Sequence, residues 1–145
     1  GKTVNILIID GQGGGIGRQL VTALREACPH AVLTAVGTNS TAASAMLRAG
    51  ADHAATGENA VVVGCRRADV IVGPIGIVIA DALLGEITPV MAAAVGQSRA
   101  RRVFLPVSHC DNLIAGVEEQ PAGRLVESAV RLIADMEQQD TERGR

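Results

Sequence analysis

Val4-Asn5-Ile6-Leu7-Ile8-Ile9-Asp10 runs directly into Gly11-Gln12-Gly13-Gly14-Gly15-Ile16-Gly17. A nearly continuous aliphatic run that ends in glycine is the pattern of a strand covered on both faces, as in the middle of a parallel sheet. Behind the glycines, Ile16, Leu20, Val21, Ala23, Leu24 and Ala27 recur at helical spacing until Pro29 stops the helix. The unit is therefore strand, glycine loop, helix.

The same alternation continues outward. Ala31 to Val36 reads as a second strand, and Gly37-Thr38-Asn39 turns the chain into a helix over residues 42–49, capped by Ser40 or Thr41. Residues 51–55 form a short third strand, and Thr56 offers a hydroxyl cap to a helix that ends near Arg67. Residues 69–73 are the next strand. Two short helices follow over 76–84 and 88–97, then a strand over 102–107 and an extra edge strand over 113–117. Pro121 opens an amphipathic helix to about Gln138, with Leu125, Val126, Ala129, Leu132, Ile133 and Met136 on its apolar stripe. Strands separated by helices imply crossovers and a mainly parallel sheet: a three-layer, doubly wound, Rossmann-like α/β sandwich. The chain reads as one domain over 1–139 with a polar tail at 140–145.

Composition narrows the function. With 145 residues, 48% apolar and 19% charged, the chain has enough to bury for a core. Phe104 is its one aromatic residue, so it has no platform on which to stack nucleic-acid bases. Thirteen Lys and Arg against 15 Asp and Glu leave a net charge of −2, without the basic excess that a nucleic-acid partner needs. Ser98-Arg99-Ala100-Arg101-Arg102 enters a strand instead of leaving one, so it lies away from the glycine loops. Ile75 to Gly96 is strongly apolar, yet Asp81, Glu86 and Pro89 interrupt it, which argues against a membrane span. Helices apolar all round need cover, and a second copy of the chain is the expected cover, making a homo-oligomer. Cys28, Cys65 and Cys110 are an odd and scattered set, and no charged-then-apolar leader is visible. A cytoplasmic protein with reduced thiols is the expectation. The cysteines and histidines have no metal-ligand spacing, so no metal is expected.

In a doubly wound sheet, ligands bind beyond the carboxyl ends of the strands. Those loops hold the glycine clusters. The candidate binding residues are Gly11, Gln12, Gly13, Gly14, Gly15, Ile16 and Gly17, with Thr38 and Asn39 toward a sugar or base. Gly73, Pro74 and Gly76 form the opposite wall. Five glycines in residues 11–17 let a phosphate approach the backbone at a helix N-terminus. The ligand class is a nucleotide or another phosphorylated small molecule, with NAD or NADP among the candidate cofactors. If there is catalysis, Asp10, Glu58 and His109 are the acid–base candidates. Cys110, beside His109, is a candidate thiol, although neighbours in extended chain point to opposite sides.

Gly11-x-x-x-Gly15-Ile16-Gly17 resembles the cofactor loop of short-chain dehydrogenases, and that resemblance implies a nicotinamide dinucleotide pyrophosphate at these glycines. The resemblance stops at the first strand–loop–helix unit. This chain has no Tyr for that family's catalysis, and Gly37-Thr38-Asn39 has neither a carboxylate for the ribose nor an Arg for a 2′-phosphate. A missing carboxylate there also argues against a transferase that uses S-adenosylmethionine. More broadly, residues 10–17, Gly37-Thr38-Asn39, residues 56–60 and residues 68–77 resemble a bacterial family of about this length that is known as a domain of unknown function. The alternative to a metabolite-binding protein is a non-enzymatic sensor or assembly protein.

Overall fold

The computed structural model describes residues 3–107 and 111–143. Its elements are β1 (Asn5–Asp10), α1 (Gly15–Ala27), β2 (Val32–Gly37), α2 (Ser40–Arg48), β3 (His53–Thr56) and α3 (Glu58–Arg67). They continue with β4 (Val70–Pro74), a 3₁₀ turn (Ile75–Val78), α4 (Pro89–Gln97), β5 (Arg101–Leu105) and α5 (Ala122–Arg143). The five strands form one sheet in the order β3-β2-β1-β4-β5, and every pairing is parallel. This is the Rossmann-like three-layer α/β sandwich.

The opening aliphatic run is explained by its central place. Ile6 and Ile8 point into a core formed with α1, α2 and α5, through Leu20, Leu24, Met46, Val126 and Ile133. Leu7 and Ile9 point into a second core formed with α3, α4 and the 3₁₀ turn, through Val61, Cys65, Ile77, Met91 and Val95. Both sides of β1 are thus dry, so no polar residue alternates along it. The chain changes face after β3, and the direction of winding reverses between β1 and β4. The crevice outside the carboxyl ends of those two strands is where such sheets hold ligands.

Several local expectations are corrected. Asn39, not Ser40 or Thr41, caps α2: its Oδ1 accepts from the Ala42 N–H at 2.8 Å. Gly57 precedes α3 and no side chain caps that helix, so the Thr56 hydroxyl has no such role. Residues 113–117 contain no strand. On α5 the buried stripe is Leu125, Val126, Ala129, Val130 and Ile133, while Leu132 is 57% exposed. The same helix runs on to Arg143, through residues assigned to a tail.

The largest correction concerns residues 76–84, which form no α-helix. Beyond the 3₁₀ turn the chain makes a strap of successive turns over 79–88, with left-handed φ values at Asp81 (66°), Leu83 (56°), Leu84 (56°) and Gly85 (87°). A run that is apolar at nearly every position carries little phase, so its sequence cannot separate a helix from a buried strap. The strap drops Leu83 and Ile87 into the core and leaves Leu84 in solvent, 90% exposed.

The seam between β1 and β4 is tightest at Gly73, where an added Cβ would press on the Ile9 carbonyl and lie 3.0 Å from Ile77 Cδ1. Backbone cannot yield there as a flexible side chain can. Gly73→Ala is expected to destabilise the protein by on the order of 3 kcal/mol in denaturant titration.

Candidate functional site

The five glycines of the 11–17 loop divide into two groups. Three are required by the protein's own packing. A Cβ on Gly11 would lie 2.6 Å from Thr38 Oγ1, and one on Gly17 would lie 2.9 Å from Asp10 Cβ and press on Met46. Gly14 is left-handed (φ 74°), and its Cβ would lie 2.8 Å from Ala42 Cα. Its N–H closes the turn on the Gly11 carbonyl at 2.9 Å.

Gly13 and Gly15 differ. Both are exposed, neither has a left-handed φ, and an added Cβ would meet nothing within 4 Å. Neither N–H donates to any acceptor among the described residues. They form the outward face of the loop, at the N-terminus of a 13-residue helix. Ile16, between the two sets, is half-buried against the α1 side of the core.

Asp10 lies behind the loop, 5% exposed. Its Oδ1 accepts the Gly11 N–H at 2.8 Å and its Oδ2 accepts the Gly17 N–H at 2.7 Å. Burial pushes its carboxyl above the ordinary 3.8, and the Glu86 charge adds to this, while the Gly17 and Gly11 amides act in the opposite direction. With both oxygens engaged by the loop's backbone, Asp10 acts as an internal cap for α1. It is not positioned as a free acid or base.

The structure supplies a residue that the sequence reading passed over. Glu86, on the strap, reaches the carboxyl ends of β1 and β2. Its Oε1 accepts the Gln12 N–H at 2.8 Å. Its Oε2 accepts from Thr38 Oγ1 at 2.9 Å and from Asn39 Nδ2 at 2.6 Å. Asn39 Nδ2 also donates to the Gln12 carbonyl at 2.9 Å. Burial alone would raise the Glu86 carboxyl, but the bonds from Asn39, Gln12 and Thr38 together outweigh it and hold the group below the ordinary 4.5. In sequence Glu86 is only a charge interrupting an apolar run. The signal available was a lone carboxylate directly after Gly85, where a turn can present it.

The other candidates separate. Thr38 and Asn39 do face the glycine loop, through Glu86 and Gln12. Gly73, Pro74 and Gly76 are buried, and a Cβ on Gly76 would lie 3.3 Å from Ala82 Cβ in the strap. The expected opposite wall is thus covered by residues 79–88. Glu58 accepts from Thr88 Oγ1 at 2.7 Å, and Thr88 in turn caps α4 by accepting from the Met91 N–H. That chain of bonds ties α3 to α4, with no recorded bond to the glycine loop. His109 and Cys110 lie outside the described residues. Cys28 and Cys65 are buried thiols pushed up to about 12 and about 11, chiefly by burial, which makes them core residues and not nucleophiles. Among the described residues no cluster of three metal-ligating side chains occurs. No helix among them is long and apolar enough to cross a membrane. Two grooves of about 470 and 540 Å³ lie along α3, away from the glycines.

The family model for a domain of unknown function, DUF3842, matches residues 5–138. The chain belongs to this family. The match spans β1 through most of α5, so the glycine loop, the 37–39 turn and the strap all lie within the DUF3842 region. No curated protein and no solved structure matches the chain.

Two predictions follow from the geometry. Gly14→Ala in this DUF3842 protein is expected to lower the melting temperature, because strain and backbone overlap coincide there. Gly13→Ala and Gly15→Ala are expected to leave it unchanged or raise stability by about 0.5 kcal/mol, through reduced freedom of the unfolded chain. Secondly, the lowered Glu86 pKa means that its contribution is fully present above pH 4.5 and is lost as the pH falls through the folded value. Asp10, shifted upward, acts oppositely: stability is lost as the pH rises from 3.8 through its folded value. Glu86→Gln should therefore cost about 1 kcal/mol at neutral pH, with the gap to the parent closing in acid.

Proposed function

We propose that this protein binds a nucleotide or another phosphate-bearing metabolite on the outward face of the 11–17 loop. The observation that carries this reading is the pair Gly13 and Gly15. No internal contact and no backbone conformation requires glycine at either position. An external group that must come close to the backbone does require it. Their two N–H groups project from the start of α1, where unpaired amides and the helix dipole favour an anion. Asp10 supports the arrangement from behind, because its negative charge is absorbed by the Gly11 and Gly17 amides.

The loop spacing Gly11-x-x-x-Gly15-Ile16-Gly17, at the first strand of a parallel sheet, favours a dinucleotide such as NAD or NADP. Among the described residues, Asp10 and Glu86, the carboxylates nearest the loop, are both held by the protein's own donors, and the proposal is one of binding. The test is Gly13→Val, compared with the parent in thermal-shift titrations with NAD, NADP, ATP and phosphorylated sugars. A bound ligand raises the parent's melting temperature. The variant, unchanged in fold because the added side chain projects into open space, should lose at least tenfold in affinity for whichever ligand binds. No shift of the parent with any of them would overturn the proposal.

A separate observation supports self-association. α4 is apolar almost all round, and its Val90 is 50% exposed beside exposed Ala93. We propose that a second copy covers this helix. Native mass spectrometry should show a homo-oligomer that Val90→Glu shifts toward monomer.

A further inference from the structure

We infer that Glu86 is the ribose acceptor of this site, and that the ligand is a nucleotide with a free 2′,3′-diol. The inference rests on the glycine-loop reading above and adds a substrate class to it. In parallel sheets that bind dinucleotides, an acidic group at the end of the second strand receives the ribose hydroxyls, and an Arg there admits a 2′-phosphate. Gly37-Thr38-Asn39, which ends β2, contains neither. The strap replaces the missing group through space. It brings the Glu86 carboxylate onto Thr38 and Asn39 at the end of β2 and onto the Gln12 amide of the glycine loop. A carboxylate from a segment 48 residues further along the chain than Thr38 thus occupies the corner between loop and second strand.

Three features fit it to this task. Among the described residues Glu86 Oε1 accepts one bond, from the Gln12 N–H, so a lone pair remains for a hydroxyl donor. The group is half-buried and keeps some solvent access at the corner between the loop and β2. The donors that hold it keep it ionised at neutral pH, which makes it an acceptor only: it welcomes hydroxyls and repels a 2′-phosphate. No recorded bond brings an Arg or Lys to this corner among the described residues.

The test is isothermal titration with NAD and NADP, and with NAD on Glu86→Gln. The unsubstituted protein is expected to bind NAD roughly ten- to a hundredfold more tightly than NADP, the range set by bonds to a charged acceptor. Glu86→Gln should bring that ratio close to one. Thr38→Asp on the Glu86→Gln background returns a carboxylate to the end of β2 and should restore the preference, which a mere tie between loops would not do. Equal binding of NAD and NADP by the unsubstituted protein overturns the proposal without any variant. So does an unchanged ratio in a folded Glu86→Gln, and Glu86 is then only a tie. If neither dinucleotide binds but a phosphorylated sugar does, the ribose proposal fails and the glycine-loop reading stands. If none of these binds, both fail.

Discussion

The Asp10 carboxylate is the joint on which the carboxyl edge of this sheet is built. It stands at the end of the central strand and receives one N–H from the residue after it and one from the first turn of α1. A buried carboxylate with both oxygens so bonded fixes the direction in which the chain leaves β1 and the height at which α1 begins. The packing glycines follow from that. Gly17 must lack a side chain because Asp10 and Met46 are already there, and Gly11 must lack one because Thr38 crosses above it. The cost is visible in the raised Asp10 pKa: desolvation is larger than what any one amide returns. Replacing Asp10 by an apolar residue would strand two buried N–H groups, which is costly in its own right.

From this joint the edge extends through hydrogen bonds between loops that are distant in sequence. Gln12, Thr38, Asn39 and Glu86 come from the connections after β1, β2 and β4, and their bonds close into one network. Asn39 has a double part in it, because its Oδ1 caps α2 while its Nδ2 bonds both Gln12 and Glu86. The start of a helix and the wall of the candidate site thus depend on one amide side chain. The strap that delivers Glu86 adopts left-handed backbone at Asp81, Leu83 and Leu84, positions where L-residues are strained. Burial of Leu83 and Ile87 supplies the compensating attraction.

How much of this was legible in the sequence depends on whether local pattern carries phase. The aliphatic run Val4–Asp10, the glycine loop and the periodic helix behind it specify a central strand and α1, and they do so from adjacent residues alone. The parallel sandwich follows from repeating that unit. Strand order does not, because pairing between β1 and β4 joins residues far apart in the chain, such as Ile6 and Val70. Residues 75–88 fail for a different reason: where nearly every position is apolar, no period distinguishes a helix from a strap. Leu132 shows the same ambiguity more mildly, since α5 offers more apolar positions than its neighbour can cover. Within the site, the loop residues, Thr38 and Asn39 were readable because they stand next to strand ends. Glu86 was not, because its position is created by tertiary structure.

The two carboxylates near the glycine loop are the strongest electrostatic objection to an anion there, and their environments answer it differently. Asp10 lies behind the loop, bonded by the Gly11 and Gly17 amides, while the amides of Gly13 and Gly15 have no internal acceptor among the described residues. Glu86 stands to the side, over β2, and its charge is shared among Gln12, Thr38 and Asn39. Burial and repulsion raise one group, while hydrogen bonds lower the other. A phosphate at Gly13 and Gly15 would meet a helix N-terminus and unpaired donors, with one carboxylate screened behind it and one displaced toward the second strand. The same displacement makes the corner beside β2 unfavourable for a second anion and favourable for hydroxyls.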